Sequence, residues 1–236
     1  MLNPTGKKMY NKRVELIYPH FKSTLLVGGI QLIDVTDTAS SITNKLFKEL
    51  PSITRHINCT NELCEKYMKK TVLSSTVISI NVYDEKIDVQ NEIENIINSD
   101  EICESCDTKK NSVITLGEYL IIELNSMPAG FYADTSKDIE SAPLDTINQN
   151  YVTPFKMRLE NVTKKIVINK KEYKIRGIVA FSSPTRGNLR FNTTGHYTTY
   201  AYRSNDRWEL YDDCKEKVLK VNQRCEVNIE LIIFTL

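Results

Sequence analysis

The chain reads Gly195-His196-Tyr197-Thr198-Thr199-Tyr200-Ala201-Tyr202, breaks at Ser204-Asn205-Asp206, and resumes as Arg207-Trp208-Glu209-Leu210-Tyr211 before Asp212-Asp213. Aromatic and β-branched residues run through both arms and a polar triplet separates them, which predicts an antiparallel hairpin. Side chains alternate along a strand, so His196, Thr198, Tyr200 and Tyr202 share one face and Tyr197, Thr199 and Ala201 the other. A hairpin of this kind returns its outer ends to each other and brings Asp212 near His196. A carboxylate beside an imidazole fixes the tautomer and stabilises the imidazolium, which is what a cysteine or serine nucleophile needs from its base.

Outward from this hairpin the second half of the chain is β-rich. Residues 155–159, 165–168, 172–182, 216–221 and 227–234 read as further strands. Residues 112–124 carry Ile114, Leu116, Tyr119, Leu120, Ile121, Ile122 and Leu124, apolar on both faces, which predicts one central strand. Residues 71–82 alternate in a β-branched run and read as another. Two helices are expected. Ile42, Leu46, Phe47 and Leu50, with Thr38 or Ser40 as N-cap and Pro51 as a stop, predict about a dozen residues of helix from Asp37. Ile93, Ile96 and Ile97 predict a second over 89–98. Residues 127–154, rich in Asp, Ser, Thr, Asn and Pro, read as a long mobile connection. Residues 1–29 carry no readable period, end on the break at Gly28-Gly29, and form an uncertain N-terminal segment.

Lysine and arginine number 31 against 30 acidic residues, so no net field draws this chain to nucleic acid or to an anionic membrane. With 41% apolar and 26% charged residues, the composition is that of a folded globular protein. The N-terminus lacks the apolar core of a secretion signal, and no apolar run approaches the roughly 18 residues of a membrane span. A cytoplasmic or nuclear chain is expected, without a membrane or nucleic-acid partner. The sequons at Asn58, Asn161 and Asn192 therefore carry no weight.

In such a location, six cysteines are reduced thiols or metal ligands. Cys59-x4-Cys64 and Cys103-x2-Cys106 form two close pairs with a strand and a helix between them, an arrangement that closes a tetrahedral zinc site if the pairs meet. Cys214 and Cys225 have no close partner and read as ordinary buried thiols.

Taken together, Gly195-His196-Tyr197-x-x-Tyr200 followed by Trp208-Glu209-Leu210-Tyr211-Asp212-Asp213 closely resembles the C-terminal histidine box of ubiquitin-specific proteases. Glu118 to Leu124 is similar to that family's central strand after the second cysteine pair, Lys174 to Ala180 to the strand before the histidine loop, and Val227 to Phe234 to its closing strand. The resemblance covers residues 30–236 and implies an α+β, predominantly antiparallel, papain-like cysteine protease fold. It places zinc-binding fingers at 55–115 and a palm with the histidine box at 116–236, and leaves the thumb incomplete. It implies His196 as general base, Asp212 as its orienting partner with Asp213 as a helper, Gly195 as room for the ubiquitin tail, and Tyr197 as a packing residue beside it. Cys59, Cys64, Cys103 and Cys106 would hold a structural Zn2+.

One part of the pattern is missing. The family's nucleophilic cysteine lies in a Gly-Asn-Thr-Cys-Tyr-type segment upstream of the region that residues 31–50 match, and no cysteine precedes Cys59. Without a thiolate there is no acyl-enzyme. The resemblance thus implies either a truncated cysteine-type deubiquitinase, inactive by itself, or a nucleophile-free pseudoenzyme that binds ubiquitin or a related modifier as a scaffold. It also implies a partner covering the incomplete palm.

Overall fold

Two long apolar runs that the sequence offers as single strands are each broken in two, and the breaks generate the architecture. Residues 71–82 divide at Thr76 into β4 (Thr71–Ser75) and β5 (Val77–Val82), and residues 110–126 divide at Gly117 into β6 (Lys110–Leu116) and β7 (Tyr119–Ser126). In both cases the first piece joins a three-stranded sheet, ordered β4-β3-β6 around β3 (Ile53–Cys59), and the second joins a nine-stranded sheet. The protein is described by a computed structural model over residues 15, 17–21, 23–27, 30–33, 38–67, 69–82, 87–126, 155–182 and 195–236.

Ser52 makes the double break possible. It is fully buried. Its hydroxyl donates to the Thr76 carbonyl at 2.5 Å and accepts from the Ile121 amide at 3.0 Å, while its own carbonyl accepts from the Gly117 amide at 2.9 Å. One residue thus satisfies backbone groups that leave their ladders where each strand changes sheet, groups that would otherwise be buried unpaired. Gly117 has to be glycine for a steric reason: a Cβ there would lie 2.1 Å from the Pro51 carbonyl oxygen. Gly117→Ala is expected to destabilise the fold by about 1–3 kcal/mol, the usual range for overpacking a tight site. A denaturant midpoint equal to that of the parent chain would show that the junction yields freely.

The large sheet runs β13-β12-β11-β10-β14-β7-β5, with β8 (Phe155–Arg158) also pairing β14 and β9 (Lys165–Ile168) also pairing β10. Its central members are β10 (Lys171–Ser182) and β14 (Glu226–Thr235); β11 (His196–Tyr202), β12 (Trp208–Tyr211) and the short β13 (Leu219–Val221) extend it on one side. Every pair is antiparallel except β5 on β7. A small separate hairpin pairs β1 (Ser23–Val27), inside the segment without a readable period, with β2 (Ile30–Ile33), just beyond it.

Two bulges decide which side chains face which side. Ile175 pairs with Phe234 and Gly177 with Ile233, so Arg176 is the extra residue on β10; Ala180 pairs with Ile229 and Val179 with Leu231, so Glu230 is the extra residue on β14. One face of the sheet carries the main core, including Ile122, Tyr173, Ile178, Trp208, Ile232 and Phe234. The other carries a smaller cluster of Val77, Ile121 and Leu231. The main core is closed by α2 (Val89–Asn98), whose Val89 and Ile93 are buried and whose N-terminus is capped by Asp88. Ala39 of α1 (Ala39–Leu46) packs against the smaller cluster.

Helix α2 matches the spacing read from the sequence. Helix α1 is shorter than the expected dozen residues. Its N-cap is Thr38, as expected, but Phe47 leaves helical geometry, and Phe47 and Leu50 are both exposed, so the apolar spacing beyond Leu46 is not a buried stripe. Residues 127–154, read as a mobile connection, lie outside the described residues. Among the described residues no helix is long and apolar enough to cross a membrane.

Candidate active site and thiol cluster

Strands β11 and β12 pair from Tyr202↔Trp208 to Thr199↔Tyr211, and the chain beyond each end continues toward the same point. There the His196 ring meets Asp212, with Nε2 2.8 Å from Oδ1. An ionised carboxylate only accepts, so Nε2 carries the proton and Nδ1, across the ring, is left with the lone pair of a base. Asp212 is itself held in place: its Oδ1 accepts from the Cys214 amide at 2.9 Å, and its side chain is only 12% exposed. The His196 hydrogen bond and then the Cys214 amide keep its carboxyl below the usual carboxylate range. Asp213 stands farther off, 3.7 Å from the same Nε2 and largely in solvent.

Tyr197 lies on the opposite face of β11, where its ring packs on Phe181 at 5.0 Å between centroids. Its hydroxyl approaches Glu230 at 3.4 Å. Gly195 is required by an internal neighbour: a Cβ on it would fall 1.9 Å from the Phe181 ring. The space at Gly195 expected for a substrate tail is thus bounded by that ring.

Glu230 escaped the sequence reading. The only trace was a single acid inside the apolar run Val227 to Phe234. The bulge explains its placement, because the extra residue brings its carboxylate to the same side as Leu231, where it also accepts from the Ala39 amide at 3.2 Å at the start of α1. The buried carboxylate therefore joins the helix N-terminus, whose dipole favours an anion, to the tyrosine that follows His196.

The second constellation forms at the far end of the three-stranded sheet. Strand β3 ends on Cys59, and Cys103 and Cys106 lie in a tight turn just before β6, whose Lys110 pairs with Cys59. That turn is held by bonds from the Cys106 and Asp107 amides to the Cys103 carbonyl, and Asp107 takes a positive φ of 53°. Cys64 approaches from the loop between β3 and β4, and the four sulfurs all lie within 4.8 Å of one another. Cys59 and Cys106 are 3.6 Å apart, and Cys64 and Cys103 are 3.8 Å apart. A tetrahedron with metal–sulfur bonds of about 2.3 Å has edges of about 3.8 Å, so the thiols fit a four-coordinate thiophilic cation. Electrostatics agree. Hydrogen bonds from Thr108 bring the Cys106 thiol down to about 6. Cys64, although drawn toward its anion by the Lys66 amide, is pushed up to about 12 by burial and the neighbouring thiols. A cation removes that mutual penalty.

Cys214 and Cys225, expected as buried thiols, are exposed and half-buried respectively. Cys225 packs against the main core. Cys214 stands beside the Nε2 side of the histidine pair, within 4.8 Å of His196, Asp212 and Asp213. Burial and then the two aspartates push its thiol up.

A hairpin carrying a histidine–aspartate pair, set in a mostly β, mixed α/β domain, defines a hydrolase-like arrangement. The chain belongs to the ubiquitin carboxyl-terminal hydrolase family, whose profile matches residues 22–229. No curated protein sequence matches it. Among solved structures it is similar to the Ubp8-Sgf11-Sgf73-Sus1 SAGA DUB module at 18% identity and a TM-score of 0.42, covering 78% of this chain and 39% of that one. It is also similar to the Saccharomyces cerevisiae Pan2 pseudoubiquitin hydrolase–RNA exonuclease module in complex with AAGGA RNA, at 16% identity and a TM-score of 0.43, covering 83% and 35%. A third is an essential yeast splicing factor, at 12% identity and a TM-score of 0.41, covering 83% and 45%. The chain therefore spans less than half the length of each of these three.

Proposed function

We propose that this chain is the ubiquitin-engaging palm and fingers of a cysteine-type deubiquitinase domain, and that alone it binds ubiquitin without cleaving it. The observation that carries this reading is the 2.8 Å contact between His196 Nε2 and Asp212, in a family whose chemistry is hydrolysis at the ubiquitin C-terminus. His196 Nδ1 takes the proton of an attacking thiol, Asp212 holds the resulting imidazolium in orientation, and the proton passes to the departing amine as the acyl-enzyme forms. In this assignment residues 30–236 form the domain, with the three-stranded sheet and the thiol cluster as the fingers (55–115) and the large sheet as the palm (116–236). Cys59, Cys64, Cys103 and Cys106 hold a structural Zn2+, which when bound would tie the end of β3 and the loop after it to the turn before β6.

None of the six cysteines supports a nucleophilic role. Four are committed to the cluster, Cys225 packs on the core, and the Cys214 thiol is held protonated by burial and by Asp213 and Asp212 beside it. A nucleophile-free scaffold that retains the pair is the second reading favoured by the same observation. The near balance of 31 basic and 30 acidic residues supports a protein partner over nucleic acid.

The test is to incubate the chain with ubiquitin and, separately, with ubiquitin bearing a C-terminal electrophile. Saturable binding of ubiquitin with no covalent adduct is the expected result. A mass-shifted adduct would identify one of the six cysteines as a working nucleophile and overturn the claim of inactivity; no binding would overturn the ubiquitin assignment.

A further inference from the structure

The segment Asp212-Asp213-Cys214 folds into a tight turn in which the Asp212 side chain accepts from the Cys214 amide at 2.9 Å and its carbonyl accepts from the Lys215 amide at 3.0 Å. That turn places two carboxylates and a thiol around one imidazole nitrogen. His196, Asp212, Asp213 and Cys214 each offer a ligand atom, and all four lie within 4.8 Å of one another. Among the described residues no lysine or arginine forms a close ion pair with Asp212 or Asp213; His196 is the basic group in contact with them, and Lys215 acts on Asp212 only at longer range.

We propose that His196, Asp212, Asp213 and Cys214 form a second metal site, for a borderline divalent ion of the zinc class, and that occupying it takes the histidine out of service as a base. The donor set is a nitrogen, two carboxylate oxygens and a thiolate, a mixture suited to Zn2+ or Co2+ and poorly suited to Mg2+ or Ca2+, which take oxygen ligands. A tetrahedral site with bonds of about 2.0–2.3 Å has edges of about 3.3–3.8 Å. The distance from Nε2 to Asp213 is already 3.7 Å, and the 2.8 Å separation from Asp212 must open by a fraction of an ångström. Asp213 and Cys214 are exposed and can move without disturbing the core. Metal binding releases the thiol proton to solvent, while the imidazole keeps its single proton, which passes through solvent from Nε2 to Nδ1 and so occupies the nitrogen that would act as base. His196 then coordinates the ion through the nitrogen that otherwise contacts Asp212, so the base and metal-ligand arrangements exclude each other.

The site differs from the four-cysteine cluster in being open and mixed, so it is weaker and fills after it. The test uses the full chain with its thiol cluster first loaded with zinc, excess metal removed, and Co2+ then titrated in while the near-ultraviolet sulfur-to-cobalt band and the visible bands of tetrahedral cobalt are followed. One further equivalent of Co2+ is expected to bind with both bands. Cys214→Ser is expected to lose the sulfur band, Asp213→Asn to weaken binding by more than about tenfold, and Cys225→Ser to change nothing. The proposal fails if the zinc-loaded chain takes up no Co2+, if Cys214→Ser leaves the sulfur band intact, or if Cys225→Ser abolishes it. Because the readout is metal binding, failure here leaves the ubiquitin reading untouched, and failure of ubiquitin binding leaves the site untouched.

Discussion

Replacing Cys103 with serine is expected to abolish tight zinc binding by the thiol cluster and to unfold the outer end of the three-stranded sheet. Cys103 is fully buried, its carbonyl accepts from the Cys106 and Asp107 amides, and its sulfur lies 3.8 Å from that of Cys64. Around it the sheet has little apolar cover. Every residue of β4 is exposed or half-buried, and Leu63, Val72, Leu73, Ile102 and Val113 are all exposed. The separate apolar cluster here consists of the cysteines themselves. Four-thiolate sites supply about 10–16 kcal/mol of apparent binding energy in small zinc modules, comparable with or greater than the whole stability of a typical domain, about 5–15 kcal/mol. Loss of the ion should therefore raise hydrogen exchange across β3, β4 and β6, while β10 and β14, which rest on the main core, stay protected. Elemental analysis and exchange on the Cys103→Ser chain, with Cys225→Ser as control, measure both effects. Unchanged zinc content or unchanged protection of β3 would refute the structural assignment.

Trp208→Ala is expected to cost about 3–5 kcal/mol, the range for removing a large aromatic from a closed core. Trp208 is fully buried at the start of β12, pairs across the hairpin with Tyr202, and packs against its ring at 5.0 Å. The same hairpin presents His196 and Asp212, so its loosening should also broaden the His196 ring resonances. Trp208→Phe is expected to cost far less, because the buried indole nitrogen has no hydrogen-bond partner among the described residues and no such bond is lost.

The Lys164 ammonium stands over the Trp208 ring at 4.9 Å and the Tyr202 ring at 5.4 Å, and donates to the Leu159 and Val162 carbonyls at 2.5 and 2.8 Å. Burial pushes it from 10.5 down to about 8. The folded value lies below the unfolded one, so between those limits the unfolded chain holds more protons and stability rises with pH. Lys164→Met should flatten that rise, and thermal melts of both chains from pH 7 to pH 11 would reveal it; an identical slope would show that Lys164 does not titrate in that window.

The hairpin at 195–213, the two cysteine pairs and helix α2 were legible because each depends on local rules: alternation, a turn triplet, ligand spacing and an apolar stripe on one helical face. The breaks at Thr76 and Gly117 were not, because a strand that changes sheet keeps its β-branched and apolar composition on both sides of the break. The signal lies in Ser52, remote in sequence, whose hydroxyl and carbonyl serve both breaks. Glu230 was hidden for a related reason. Val227 and Ile229 face the main core from odd positions and Ile232 and Phe234 from even ones, so parity along β14 gives Glu230 no single side until the bulge against β10 is known.

The sequence by itself determined helix α2, the histidine–aspartate hairpin and the thiol pairs, since all of these arise from neighbours along the chain. Only the tertiary structure decided how the strands divide between two sheets, where Glu230 faces, and that Cys214 joins the histidine pair. Those outcomes depend on hydrogen bonds and close approaches between segments far apart in sequence, which no local pattern encodes.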